Sequence, residues 1–344
     1  MADVADPARP STEPRRLVAA PDKLRGTATA PEVAAALGRA AARAGWACDQ
    51  VPMADGGEGT LVALGGPNRT TTVTGPLGAP VEAAWRLDGR TAVIEMARAS
   101  GLALVGGPDG NDPVAASTAG TGELIVDAID KGAVRVIVGL GGSATTDGGL
   151  AALRALHPLG RLKGVDLLVA CDSRVGFLEA ATSFAAQKGA TPAQVELLRR
   201  RLERLAQVYR DEHGVDVLAL EGAGAAGGLG GGLAAAGASL VSGFDVVAEE
   251  VGLDERLEGA DLVITAEGFL DAMSFEGKVV GGVATLAAAL DVRAVAIAGQ
   301  VFDDAADRIE AISLVDRFGE ERARGDTLAC IEAVAHDVLV EYEA

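Results

Sequence analysis

Arg16–Val33 reads RLVAAPDKLRGTATAPEV, and the order of its three parts decides the fold. RLVAA is a short apolar strand, and PDKLRG is a charged turn. The remainder opens a helix: Thr29 suits the N-cap, Pro31 falls early in the first turn, and Glu32 completes a capping-box spacing. The pattern then repeats. A strand near CDQVPM (Cys48–Met53) meets the turn ADGGEGT (Ala54–Thr60) and another short helix. Toward the other end, the apolar strands DLVIT (Asp261–Thr265) and RAVAIAG (Arg293–Gly299) flank a helix expected from about Lys278 to Leu290. Such alternation predicts a parallel sheet covered by helices, with ligands at the carboxyl ends of the strands.

The middle has a different rhythm. TTTVTG, VEAAWRL and TAVIEM are short runs rich in Thr, Val and Ala, separated by the turn signals GPLGAP and DGR. They read as antiparallel strands of a mixed sheet. The expected architecture is therefore α/β with two domains. A Rossmann-like parallel sheet is built from both chain ends (16–68 plus 251–344), and an α/β domain with a mixed sheet is inserted between them (69–250). Residues 1–15, with no apolar core, read as a disordered leader and not as a signal peptide. From Thr191, TPAQVELLRRRLERLAQVYRDEHG places Val195, Leu198, Leu202, Leu205 and Val208 on one helical face, leaving the basic cluster RRRLER as a solvated face.

Composition excludes several classes. A net charge of −19 argues against nucleic acid or an anionic membrane as partner, since both demand clustered Lys and Arg. Cys48, Cys171 and Cys330 are far apart without CxxC spacing, which fits a reduced cytoplasm with neither disulfides nor a zinc site. The uncharged run Gly222–Phe244 is long enough for a membrane span, but nine of its 23 residues are glycine, so it reads as packed soluble backbone. There is no GxxxxGK[ST] and no HExxH, and three scattered histidines make a Ser-His-Asp site improbable.

What remains is charge set in glycine-rich turns. PDKLRG carries Asp22, Lys23 and Arg25, and ADGGEG carries Asp55 and Glu58. Both lie on one rim if the sheet is parallel. Cations there would hold a carboxylate and a transferred phosphoryl group, and a carboxylate would take a proton or hold Mg²⁺. The competing reading of Asp55 is an Asx-type turn. ASTAGTGEL (Ala116–Leu124) opens a helix where Thr121 either offers its hydroxyl to an anion or simply caps. VGLGGSATTDGG (Val138–Gly149) lies between the apolar VRVIV and the helix-like LAALRAL and suits either an anion or a tight turn. VDLLVACDS ends a strand on Asp172, a candidate base or a turn-forming Asp. QKGA adds Lys188, and TAEGFLDAMSFEGK adds Glu267 and Asp271 in a turn, with Lys278 at the next helix. GAGAAG (Gly222–Gly227) formally matches GxGxxG after the strand-like VDVLAL. That match carries the rival reading, an NAD(P)-dependent oxidoreductase, but Asp245 falls at a helix start and not at the strand end the fingerprint needs.

In this order, Pro21–Gly26, ADGGEGT, STAGTGEL, GLGGSATTDGG, QKGA, GAGAAGGLG and DLVITAEGFLDAMSFEGK resemble the bacterial glycerate kinase family of the glyoxylate and glucarate pathway type, over about Arg16–Glu341. The resemblance implies two α/β domains with the active site in the cleft between them. It implies ATP and Mg²⁺ as cofactors and transfer of the γ-phosphoryl group to D-glycerate, most often at the 2-hydroxyl to give 2-phosphoglycerate. The alternatives are a 3-phosphoglycerate-forming or other hydroxy-acid kinase, or a weakened glycerate- or nucleotide-binding homologue.

On this reading Asp172, Arg25 and Asp55 are catalytic, and Asp22, Lys23, Gly57, Glu58, Gly141, Gly142 and Ser143 bind substrate. Thr121, Lys188, Gly222, Gly224, Gly227 and Lys278 bind the nucleotide, and Glu267 and Asp271 lie near the metal. The implied protein is a cytoplasmic monomer or homodimer whose partners are small molecules. Two departures stand out: a shortened loop after Asp172, and Ala266 where the family has glycine, which would hurt if that position needs φ > 0.

Overall fold

The computed structural model describes residues 14–24, 26–302, 305 and 307–342; Arg25 and nearly all of the leader lie outside the described residues. Its strands are β1 (Arg16–Ala19), β2 (Ala47–Gln50), β3 (Arg69–Thr74), β4 (Pro80–Asp88), β5 (Thr91–Glu95), β6 (Arg135–Gly139), β7 (Asp166–Cys171), β8 (Ser239–Ser242), β9 (Leu262–Leu270), β10 (Arg293–Val301) and β11 (Glu310–Ser313). The chain forms two compact units. The first is Met1–Pro52, Gly252–Ser274 and Val283–Ala344; the second is Met53–Val251 and Phe275–Gly282. Positions 53–68, grouped with the chain ends in the sequence reading, thus belong by contact to the second unit. The cause is local: Glu95 at the end of β5 accepts from Gly59 N (2.9 Å) and Leu61 N (3.0 Å), and Leu140 N donates to Gly56 O at 3.0 Å.

The first unit is a parallel sheet in the order β11-β10-β9-β1-β2. Its central strands β1, β9 and β10 carry buried apolar runs, whereas the edge strands β2 (ACDQ) and β11 (EAIS) are polar and only partly buried. The helix Ala30–Arg43 starts on the expected capping box: Glu32 Oε2 accepts from Thr29 N at 2.8 Å, and Thr29 Oγ1 accepts from Glu32 N. Its alanine-rich face is buried with Val33 and Leu37 in a core shared with Ile331, Val334 and Leu339 of the helix Thr327–Glu341.

β9 runs further than its apolar start suggests, pairing with β10 as far as Leu270↔Val301. Glu267 therefore lies inside the strand and not in the turn. Ala266 is fully buried in the same ladder, and its carbonyl accepts from Asp22 N at 2.9 Å. Among the described residues only Ala226 and Asp291 are non-glycines with positive φ. The feared cost of alanine at 266 does not arise, because regular strand backbone accepts a Cβ.

The second unit carries the mixed sheet, β3-β4-β5-β6-β7-β8, with β3-β4-β5 antiparallel and the remaining pairs parallel. The helix Pro192–His213 is capped by Thr191 and Gln194 and ends on Gly214 at φ 69°. Leu198, Leu202 and Leu205 are buried on its inner face, each contributing roughly 2 kcal/mol. Its basic cluster is a solvated face: Arg199 pairs with Glu196 and Glu203, and Arg200 pairs with Glu196. VDVLAL forms turns and not a strand, so GAGAAG lacks the strand that a dinucleotide fingerprint requires, and the oxidoreductase reading loses its basis. No helix among the described residues is long and apolar enough to cross a membrane.

Candidate active site

The second unit holds a cavity of about 340 Å³ built from the ends of β6 and β7 and three glycine-rich turns. Gly57 comes from the turn that follows Asp55, and Gly141, Gly142 and Ser143 from the turn after β6. Asp172 stands one residue past β7, and Gln187 and Lys188 precede the long helix. The turns fit only because their glycines let backbone meet backbone. A Cβ on Gly139 would lie 2.7 Å from Gly56 O, and one on Gly141 would lie 2.8 Å from Gly57 Cα. The structure thus brings Gly57, Gly141, Gly142, Ser143, Asp172 and Lys188 to one cavity.

Lys188 is the cation of this wall. It is buried, its Nζ donates to Thr145 O at 2.6 Å, and Asn111 Nδ2 donates to its carbonyl at 2.9 Å. Burial pushes its ammonium down to about 8, against the attraction of Asp147. Asp172 is exposed. Its neighbour Cys171, which sequence reasoning passed over, also lines the cavity, with its thiol pushed up to about 11 by burial and by Asp172. That thiol is held protonated, so it shapes the wall and is a poor nucleophile. Ser143 pairs with Gly101 in an isolated bridge, which fixes the turn.

The other expected residues are placed elsewhere. Asp55 is 8% exposed, and its Oδ1 accepts from Gly57 N at 3.1 Å. It makes the Asx-type turn that presents Gly57 and is not itself on the cavity wall. Glu58 is exposed and off the wall. Thr121 neither caps nor faces the cavity: it is fully buried inside the first turn of Ala119–Asp130, its hydroxyl 2.9 Å from Ser100 Oγ. Gly222, Gly224 and Gly227 pack behind the wall that Ala225 and Ala226 provide. Cβ atoms there would lie 2.9 Å from Ser173 O, 2.2 Å from Gly176 O and 1.9 Å from Thr145 O. Lys278 directly precedes the helix Val279–Ala289, its carbonyl accepting from Gly282 N.

Asp147 is an internal fastener. Its Oδ2 accepts from Thr118 N and Oγ1, its Oδ1 accepts from Gly149 N, and burial pushes its carboxyl up. Glu95, unremarked in the sequence, does the same for ADGGEGT. Its signal was a lone acid closing the apolar strand TAVIE.

In the first unit, Asp22 and Lys23 follow β1, while Glu267 and Asp271 lie toward the end of β9, its parallel neighbour. Lys23 Nζ is 3.6 Å from Asp22 Oδ1, and Asp271 Oδ1 accepts from Ser274 N at 3.2 Å. These four share the carboxyl-end rim of one sheet. Arg25 lies outside the described residues. No group of three or more His, Cys, Asp or Glu among the described residues is disposed to hold a metal ion. Glu267 and Asp271, two carboxylates on this rim, would suit a magnesium ion, which takes one or two carboxylates and keeps other ligands from water or phosphate.

Comparison with known proteins agrees with this construction. The model of the glycerate kinase family matches residues 17–160 and 157–339. The chain is 39% identical to the glycerate 2-kinase of Escherichia coli over 84% of its length and 86% of that protein. It is 38% identical to the glycerate kinase of Halalkalibacterium halodurans over 94% of its length and 97% of that protein. A crystal structure from Salmonella typhimurium, assigned as a glycerate kinase 2, superposes with a TM-score of 0.81 at 34% identity, covering 96% of this chain and 98% of that one. The chain belongs to the glycerate kinase family.

Proposed function

We propose that the protein transfers the γ-phosphoryl group of ATP to D-glycerate at the 2-hydroxyl, giving 2-phosphoglycerate. The observation that carries this reading is the convergence of one exposed carboxylate, Asp172, one buried lysine, Lys188, and the glycine-lined turn of Ser143 on a single cavity. The E. coli relative, a glycerate 2-kinase by name, supports the choice of hydroxyl.

In this proposal Asp172 accepts the proton of the attacking hydroxyl, and Lys188 with the N–H groups of Gly141–Ser143 holds negatively charged oxygens. Gly57, set by Asp55, leaves room for them. Catalysis is then chiefly positioning and charge neutralisation. Mg²⁺, when bound on the phosphates, neutralises charge and orients them. Glu267 and Asp271 are the carboxylates proposed to meet it, with Lys23 and Asp22 on the same rim proposed to bind substrate. Gly222, Gly224 and Gly227 are proposed to contribute by packing behind the wall, and Thr121 by holding the Ser100 hydroxyl. The protein is proposed to work in the cytoplasm, in keeping with its three free thiols, as a monomer or homodimer.

The test is ADP release coupled to a reporter with D-glycerate as acceptor, the product then being offered to enolase. Turnover no greater than that of an Asp172→Ala variant would overturn the kinase reading. A product that enolase refuses would overturn the 2-hydroxyl alone.

A further inference from the structure

A second cavity, of about 400 Å³, opens in the same unit further along the Ser143–Gly149 segment. Its walls are apolar, with Val114, Leu150, Leu202 and Val208 among them, and Thr146 and Asp147 are contributed by the segment itself. Ser143, at the other end of that segment, lines the first cavity instead. The volume is that of an ordinary small-ligand site.

Two further observations say what would fill it. First, Arg201 and Arg204 line it from the long helix. Their neighbours Arg199, Arg200 and Arg210 are each paired with a carboxylate, yet neither of these two meets one among the described residues; Arg201 donates only to Val114 O, at 2.9 Å. In a chain of net charge −19, two arginines left to one apolar cavity favour an anion. Second, Thr146 is 1% exposed, and its hydroxyl, buried, has no hydrogen-bond partner among the described residues. Thr146 belongs to the cavity lining, so a turn of its hydroxyl toward the cavity would let a ligand oxygen take up this unmet hydrogen bond. Asp147 also lines the cavity; its oxygens are turned to Thr118 and Gly149, and burial pushes its carboxyl up, toward the neutral form, which lessens its repulsion of an anion.

We propose that this cavity is a second ligand site, taking a small organic anion with an apolar body. The carboxylate or phosphate would meet Arg201 and Arg204 while the body lies against Leu202 and Val208. The site is independent of the phosphoryl-transfer reading and is tested by binding alone.

Full-length protein is titrated calorimetrically with butyrate, hexanoate and octanoate, and with 1-hexanol as the uncharged match for hexanoate. Hexanoate is expected to bind, and 1-hexanol to bind roughly tenfold more weakly. The double variant Arg201→Gln/Arg204→Gln, altered only at exposed positions, should fold normally by circular dichroism and lose a similar factor. Val208→Trp, which fills the cavity, should abolish binding; if it fails to fold, the arginine pair decides. No binding of any of the three acids would overturn the proposal, as would hexanoate binding equally to the double variant. Equal binding of hexanoate and 1-hexanol would overturn its anionic part.

Discussion

Two segments of the second unit have nearly the same composition and opposite uses. Gly139–Gly149, GLGGSATTDGG, leaves Gly141, Gly142 and Ser143 on a cavity wall. Gly222–Gly232, GAGAAGGLGGG, buries every residue it has. Its glycines admit neighbours in place of ligand: Gly227 receives the Thr145 carbonyl, Gly231 the Phe177 ring, and Gly232 the Gly148 carbonyl. The second segment is the bed on which the first is laid, and Gly148 N donating to Gly227 O joins them at 3.0 Å. Glycine density therefore marks close approach of something, and only the surroundings decide whether that is phosphate or another stretch of chain.

The sharpest way to break this contrast is to add a methyl group on each side. In Gly227→Ala the new carbon would lie 1.9 Å from a backbone carbonyl oxygen at φ 73°, and neither side can yield cheaply. Urea unfolding should show a loss of about 4 kcal/mol or more. Gly142→Ala, at φ 70° with only the Ala97 methyl near, at 3.2 Å, should lose about 1–2 kcal/mol while impairing turnover. Similar losses in both variants would erase the distinction.

Next in size is Asp172→Asn. The residue is exposed beside the cavity, so stability should hold while kcat falls about 100-fold or more, the range for losing a general base. A fall confined to KM would make Asp172 a binding group. Lys188 gives a smaller effect with a definite pH signature. Its folded value of about 8 lies below the ordinary 10.5, so between these limits the unfolded chain binds the proton more readily and stability rises with pH. Activity should move the other way, falling roughly tenfold per pH unit above about 8 as the cation is lost. In Lys188→Met both slopes should vanish. An unchanged activity profile in that variant would remove lysine from the reaction.

The architecture was legible because period and punctuation agree: apolar strands, capped helices and short turns in alternation fix an α/β chain, and TTTVTG-VEAAWRL-TAVIEM fixes the antiparallel edge. The site was half legible. Glycine, Asp172 and Lys188 could be nominated from their turns. Burial could not be seen, so Thr121 was indistinguishable from a capping or anion-binding residue, and Asp55 from one whose carboxylate lines the cavity. Glu267 was misread as turn because the end of an apolar run is not the end of a hydrogen-bonded ladder; β10 carries β9 onward through polar positions. Glu95 and Cys171 were missed since their roles depend on chain segments far away in sequence.

One residue sits on both sides of the comparison, and it offers the smallest and most discriminating test. Ala226 belongs to the packed segment yet lines the first cavity, and it holds φ 53° without being glycine. Left-handed backbone costs an alanine about 1 kcal/mol or slightly more, whereas glycine takes it freely but gives some of that back as unfolded-chain entropy. Ala226→Gly should therefore stabilise by at most about 1 kcal/mol, read from the urea midpoint at unchanged slope. If the methyl matters only as filler, kinetic constants should stay within about threefold, less than 1 kcal/mol of transition-state energy. A stabilised variant with KM for ATP raised well beyond that would mean the strain is kept for contact with the nucleotide. The bed, at this one position, would then be part of the site.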